Sequence, residues 1–112
     1  MREILFRGKR LNNGEWAVGF LIGVEDQVFI SNLDGTSGKI ELNAVEVDPA
    51  TVGQYTGLKD KNGVKIFEGD LLEDKETSQV ATVKYHPEVA QFWGVMANDY
   101  REIIGNIHEG EV

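Results

Sequence analysis

The sequence contains no cysteine, and this absence removes several kinds of chemistry at once. Disulfides, iron–sulfur clusters, thiolate zinc sites and thiol nucleophiles all require that residue. The sequence also lacks an apolar run near the roughly 20 residues that a membrane-spanning helix needs. Its first ten residues mix charged and apolar side chains, unlike a signal peptide. We therefore predict a cytoplasmic protein that does not associate with membranes.

Basic residues are scarce relative to acidic ones. The 112 residues include 11 Lys and Arg against 19 Asp and Glu, which gives a net charge of -8. Nucleic-acid binding needs clustered positive charge, so this balance disfavours it. One local exception lies at the start of the chain, where the basic residues are Arg2, Arg7, Lys9 and Arg10.

Helical periodicity is also missing, whereas short alternating segments are common. Trp16, Val18, Phe20 and Ile22 occupy every second position, which is typical of a strand. The predicted strands cover residues 2–7, 15–23, 27–31, 64–68, 79–86, 92–97 and 102–108, with Leu71 and Leu72 in a further extended piece. The alternation at Ile40 and Leu42 changes phase near Asn43 and Ala44, which predicts a bulge or a strand end.

Turn residues separate these strands at short intervals. The 13 glycines include those of two Asn-Gly pairs, at Gly14 and Gly63, and Asn-Gly is a strong hairpin signal. Asp48 and Pro49 can open a single helical turn. We predict an all-β fold, either a small barrel or two sheets, with at most one short helical turn near residue 50. Residues 1–112 form one domain, in which two β subdomains could meet at residues 48–51.

Catalytic and metal-binding patterns are weak. His86 and His108 stand alone at predicted strand ends, and the acidic run from Asp70 to Glu76 does not match a calcium loop. Ser31, Ser37 and Ser78 are predicted to lie in loops outside any nucleophile motif. The glycine loop at residues 34–38 lacks a phosphate-binding lysine. We predict no catalytic residue, no metal ligand, no cofactor and no enzymatic activity.

Three aromatic residues lie beside basic ones, a pattern that single-strand nucleic-acid binders use. They are Phe6, Tyr85 and Tyr100. The strand phase favours core packing for Phe6 and Tyr85, and likewise for Trp16 and Trp93. Gly69 and Asp70 predict a bend at which Asp70 accepts backbone N–H groups; a functional acidic pair of Glu68 and Asp70 is the less favoured interpretation.

Three blocks of sequence resemble the YopX family of phage- and prophage-encoded proteins. They read VGQYTGLKDKNGVKIFEGDL at residues 52–71, REILFRGKR near the start and EIIGNIHE near the end. The resemblance implies a small, mostly β protein of a phage of Gram-positive bacteria or an integrated prophage. It implies no mechanism and no catalytic residues.

The leading hypothesis is a non-enzymatic interaction module that binds a host or phage protein and forms a homo-oligomer. Binding would use a strand edge or the segment from Thr56 to Asp60, interpreted as a loop beside Tyr55. The alternative is nucleic-acid binding through the N-terminal basic cluster, or its reverse, in which the acidic surface mimics DNA. The binding residues themselves stay open.

Overall fold

The computed structural model describes residues 4–31, 44–97 and 99–109, and these form an all-β structure. The strands are β1 (Phe6–Lys9), β2 (Trp16–Val24), β3 (Gln27–Ser31), β4 (Ala44–Val47), β5 (Gly53–Lys59), β6 (Lys65–Phe67), β7 (Asp70–Glu73), β8 (Val80–Thr82), β9 (Lys84–His86), β10 (Gln91–Trp93) and β11 (Glu102–Asn106). The predicted fold class is confirmed. The turn at residues 34–38 and the phase change at Asn43 lie outside the described residues.

The one helical turn in the described part of the chain is a 3-10 turn at Pro49–Thr51. The Asp48 carboxylate caps it by accepting the Ala50 N–H at 3.0 Å. The prediction of a short turn near residue 50 is confirmed. No helix in the described ranges is long and apolar enough to cross a membrane.

The chain forms two compact units, with the boundary between Gln54 and Tyr55 inside β5. The predicted single domain, with a subdomain seam at residues 48–51, stays a prediction.

In the N-terminal unit, antiparallel strands pair in the order β4-β3-β2-β1. The chain beyond β1 then returns to β4. Arg10 forms a bridge with Val47, the Leu11 N–H donates to the Glu46 carbonyl at 3.1 Å, and the Asp48 N–H donates to the Lys9 carbonyl at 2.8 Å. These bonds satisfy the outer edge of β4, so the four strands close into a small barrel.

The interior of this barrel holds Ala17, Ile30 and Val47, with Phe6, Val28, Val45 and Val52 packed against them. Space is tight on β1, since a Cβ at Gly8 would lie 2.9 Å from Val47 Cγ2. Beside Val47, the inward residues of β1 and β2 are therefore the small pair Gly8 and Ala17. The predicted core position of Phe6 is confirmed.

The C-terminal unit contains a sheet of order β11-β7-β8, the hairpin of β9 and β10, and the pairing of β5 with β6. Its core consists of Ile66, Leu72 and Val83, with Phe92, Val95 and Ile103 around it. The predicted strand at residues 79–86 divides at Val83, whose N–H donates to the Asp70 carbonyl and whose carbonyl accepts the Gly69 N–H. The first half, β8, thus pairs with β7, and the second half, β9, pairs with β10.

Two predicted strands are shorter than expected. β10 ends at Trp93 because Gly94 has φ +86°, and a Cβ there would collide with the Thr82 carbonyl oxygen. β11 ends at Asn106, whose side chain accepts the His108 N–H at 2.9 Å. In contrast, β3 covers the predicted residues 27–31.

Candidate functional site

The largest departure from the sequence-based picture is the outward face of β2. Trp16, Val18, Phe20, Ile22 and Val24 alternate with the inward Ala17 and Gly19. The solvent-exposed fraction is 42% for Val18, 48% for Phe20 and 51% for Val24. We call these five residues the outer β2 face. The prediction that Trp16 is a core anchor is wrong, because the narrow barrel admits only the smaller residues of β2.

Two basic residues lie beside this face. Arg7 and Lys9 are the cross-strand partners of Val18 and Trp16, so their side chains share one side of the sheet. Arg7 Cζ lies 4.6 Å and Lys9 Nζ 5.5 Å from the centre of the Trp16 ring, which are cation–π distances. The structure therefore brings together two members of the predicted basic cluster. Arg10 lies in the bridge to β4, and Arg2 lies outside the described residues.

The opposite flank of the face is acidic. Glu46 on β4 pairs with Phe29 of β3, which in turn pairs with Ile22. The Gln27 side-chain amide donates to Glu46 Oε2 at 3.3 Å. Exposed Glu25 and Asp26 form the turn between β2 and β3. The face thus has an apolar centre, a basic flank on β1 and an acidic flank toward β3 and β4.

The sequence predicts a functional loop from Thr56 to Asp60. The prediction of a loop is wrong, because residues 53–59 form β5. Thr56 is buried, donates its hydroxyl to the Ile66 carbonyl at 2.8 Å and accepts the Leu58 N–H at 3.1 Å. Gly57, at φ +88°, lies where the pairing of β5 with β6 becomes irregular, between Tyr55 and Lys59 of β5. These residues shape the strand.

Asp60 is buried and connects two parts of the C-terminal unit. Its Oδ1 accepts the N–H groups of Asn62 at 2.8 Å and Val64 at 3.0 Å, which forms the predicted Asn-Gly turn. Its Oδ2 accepts the Ile103 N–H of β11 at 3.1 Å. Burial opposes ionisation, but these backbone hydrogen bonds outweigh it and lower the pKa of Asp60.

The corner at Gly69 and Asp70 has the predicted form. Gly69 has φ +93°, and the buried Asp70 carboxylate accepts the Phe67 N–H at 2.8 Å. Asp70 is only 1% exposed, so it is poorly placed to form an accessible acidic pair with Glu68. Gly69 and Asp70, which lie in the block resembling the YopX family, therefore form and hold this corner of the chain.

An ion pair that the sequence analysis did not identify holds the loop before β11. The side chains of Asp99 and Arg101 make two hydrogen bonds with each other, Arg101 Nη2 to Asp99 Oδ2 at 2.7 Å and Arg101 Nε to Asp99 Oδ1 at 2.8 Å. Arg101 also donates to the Gly94 carbonyl, and Asp99 accepts the Met96 N–H. Burial opposes ionisation of Asp99, yet the hydrogen bonds from Arg101 lower its pKa, and Asp99 in turn raises the pKa of Arg101. The Asp-x-Arg spacing of residues 99–101 is the feature of the sequence that could have indicated this ion pair.

The acidic run is divided among structural contacts. Tyr100 donates its hydroxyl to Asp74 Oδ2 at 2.9 Å, and this hydrogen bond raises the pKa of Tyr100. Lys75 Nζ contacts Glu73 at 2.6 Å and Glu102 at 3.2 Å. Asp74 and Tyr100 line a cleft of about 400 Å³ with Gln79, Val80, Ala81 and Arg101.

The two histidines occupy unrelated surroundings. The His86 ring stacks on Trp93 with 3.7 Å between centroids, and its Nδ1 lies 3.1 Å from Glu88 Oε1. His108 follows β11. No group of three or more potential metal ligands occurs within residues 4–31, 44–97 and 99–109.

Several predicted positions of single residues are wrong. Trp93 is 52% exposed and Tyr85 is 37% exposed, so neither is a core residue. Both lie on the short hairpin of β9 and β10, where Tyr85 packs on Phe92. Ser31 is buried at the end of β3 rather than in a loop, whereas Ser78 does lie in one. Ser37 falls outside the described residues.

A second cleft, of about 280 Å³, lies in the C-terminal unit. Its lining consists of Thr56, Leu58, Ala90, Gln91, Phe92, Val95, Met96 and Ala97.

Comparison with known proteins identifies the family. The profile of the YopX protein family matches residues 5–111, nearly the whole chain. A comparison with curated proteins gives no match. The three resembling blocks identified in the sequence lie almost entirely within the matched range. The chain therefore belongs to the YopX family, which is found in phage and prophage proteins.

Proposed function

We propose that this YopX-family protein is a non-enzymatic interaction module that binds a host or phage protein through the outer β2 face. The carrying observation is the exposure of Val18, Phe20 and Val24 on one side of a closed barrel. Contiguous exposed apolar surface on a small protein is typical of an interaction site. We place the protein in the cytoplasm of a bacterial host.

The polar residues support a role without catalysis. Thr56, Asp60, Asp70 and Asp99 are buried, and their side chains bond backbone groups or Arg101. Residues committed in this way stabilise the fold and are poorly placed to act on a substrate. The strand edge of β4, another candidate surface, bonds to residues 9–11.

Nucleic-acid binding is the second candidate, and Arg7 and Lys9 beside Trp16 favour it. The net charge of -8 opposes it, because binding to a phosphate backbone depends on many basic contacts. Self-association into a homo-oligomer is a further proposal, since an apolar face can also pair with its own copy.

Capture from host lysate, with and without nuclease, tests the proposal. Three baits are compared: the wild type, the double variant Val18→Thr with Phe20→Ser, and the control Val64→Thr with Ile104→Thr. The control residues are 51% and 46% exposed and lie in the other unit. We expect a nuclease-resistant protein on the wild type and the control but not on the face variant. Equal capture by all three baits would contradict the proposal.

A further inference from the structure

We infer that one face of the hairpin of β9 and β10 is a stacking site for a nucleotide, either free or within a single strand of nucleic acid. We call it the hairpin face, and it consists of Lys84, His86, Gln91 and Trp93. It belongs to the C-terminal unit, whereas the proposed function rests on the outer β2 face of the N-terminal unit. Three features support the site: the open ring of Trp93, the contacts that fix this ring, and the charge beside it.

Trp93 presents a large open ring. Trp93 lies opposite Lys84 and Gln91 lies opposite His86 in the register of the hairpin, so the four side chains share one side of the two strands. The His86 imidazole stacks on the indole with 3.7 Å between centroids and covers one of its faces. Trp93 is nevertheless 52% exposed, so the other face and the edge of the indole are open. A flat aromatic ligand can stack on that face.

The position of Trp93 is fixed by the structure around it. On the other side of the hairpin, Tyr85 packs on Phe92, and Phe92 lies against the core of the C-terminal unit. Directly after Trp93, the Gly94 carbonyl accepts a hydrogen bond from Arg101 at 3.1 Å. A ring that is already held in place loses little conformational freedom when a ligand binds, and this favours binding.

The charge beside the ring indicates the class of ligand. Lys84 is exposed, and its ammonium group has no hydrogen bond or ion pair with the residues of the described ranges 4–31, 44–97 and 99–109. It repels cationic ligands and can bind a phosphate group beside a stacked base. Glu88 lies farther along the hairpin, where its Oε1 is 3.1 Å from His86 Nδ1. A base that carries a phosphate therefore matches both Trp93 and Lys84.

The other exposed rings are less suited to a nucleotide. Tyr100 donates its hydroxyl to Asp74, whose carboxylate repels a phosphate. Phe20 is 48% exposed and offers a ring in the outer β2 face. The basic residues of the neighbouring strand, Arg7 and Lys9, however, already lie over an indole ring of that face. The hairpin face is thus where an open ring and an uncommitted cation occur together.

Charge and composition favour a nucleotide over a long nucleic acid or a protein segment. The net charge of -8 opposes a polyanion with many phosphates far more than a ligand that places one or a few phosphates near Lys84. A protein partner on Trp93 would cover Lys84 as well, and lysine is depleted in protein interfaces.

Titration of the full chain with adenosine monophosphate, followed by nuclear magnetic resonance, tests this inference. The chain has two tryptophans and hence two indole N–H signals, and Trp16→Phe assigns the signal of Trp93. Because stacking is tolerant of the base, adenine is a sufficient probe. We expect the nucleotide to shift the Trp93 signal in a saturable way. Adenosine without the phosphate should bind about tenfold more weakly.

Variants of Lys84 test the role of the cation. We expect Lys84→Glu to bind adenosine monophosphate about tenfold more weakly than the wild type and Lys84→Arg to bind it equally well. Lys59→Glu, at an exposed lysine of β5, is the control for charge. Thermal melting of each variant verifies folding.

A second titration, with a short oligoadenylate, separates the two sources of the ligand. Tighter binding of the strand than of the nucleotide assigns the site to single-stranded nucleic acid, and equal or weaker binding assigns it to a free nucleotide. An unchanged Trp93 signal, equal affinity for adenosine and its monophosphate, or equal affinity of Lys84→Glu and wild type would overturn the inference. Loss of binding in Val18→Thr with Phe20→Ser would also overturn it. Lysate capture tests the proposed function separately, because its variants leave the hairpin face unchanged.

Discussion

Asp60 accepts backbone N–H groups from Asn62, Val64 and Ile103, which lie in two distant parts of the sequence. Asp99 plays a similar part through Met96 and Arg101. The oxygens of these two carboxylates already accept hydrogen bonds within the protein, so they are poorly placed to bind a ligand. The local pattern around Asp60 predicts a functional loop, because the sequence does not reveal that a carboxylate oxygen of Asp60 accepts the Ile103 N–H.

We predict that Asp60→Ala lowers the free energy of unfolding by about 2–4 kcal/mol. Three buried or partly buried N–H groups would lose a charged acceptor. Urea denaturation measures the change, and the exposed Asp26→Ala serves as the control, with an expected change below about 0.5 kcal/mol. A loss for Asp60→Ala as small as that of the control would contradict the structural role.

The depressed pKa of Asp99 makes its contribution depend on pH. A carboxyl group whose pKa is lower in the folded state stabilises the protein above its unfolded value of 3.8, and this contribution is lost as pH falls below it. We predict that the difference in unfolding free energy between wild type and Asp99→Asn is largest at neutral pH. It should shrink as pH falls from about 4 to about 2, where the carboxyl group becomes protonated. Denaturation at several pH values measures it, and a difference that grows toward acid would refute the prediction.

At the scale of elements, β2 shows what sequence pattern leaves undetermined. Its period-2 alternation correctly predicts a strand at residues 15–23, observed as Trp16–Val24. The pattern alone assigns the large side chains to the core. The opposite holds, because Gly8 and Val47 leave too little space inside the barrel for the larger side chains. Closure of β1 onto β4 is a long-range event that local alternation cannot show.

We predict that Gly8→Ala lowers the free energy of unfolding by about 1–3 kcal/mol, because its Cβ would lie 2.9 Å from Val47 Cγ2. Gly23→Ala on β2 is the matched control, since a Cβ there meets no atom within 4 Å. We expect its effect to stay within about 0.5 kcal/mol. Chemical denaturation compares the two, and equal effects would contradict the tight packing of the barrel.

For the whole molecule, composition and turn chemistry predict the all-β class, the turn at Pro49–Thr51 and the family. The outer β2 face, in contrast, cannot be predicted from composition and turn residues. It depends on which side of β2 is covered, and therefore on pairing between residues as distant as Arg10 and Val47. The charges of Arg7 and Lys9 were visible in the sequence, but their placement beside exposed apolar side chains was not.

We predict that Val18→Thr with Phe20→Ser changes the free energy of unfolding by less than about 1 kcal/mol, because both side chains are substantially exposed. Threonine also keeps the strand preference of valine. Thermal and urea denaturation measure this. A large loss of stability would show that the face is part of the core rather than a binding surface.

Recovery of a nuclease-resistant partner by wild type and by this same double variant tests the central claim most directly. The account predicts that the folded variant recovers at least about tenfold less partner than the wild type, while Val64→Thr with Ile104→Thr recovers as much. Equal recovery by the folded double variant would contradict the claim that the outer β2 face is where this protein binds.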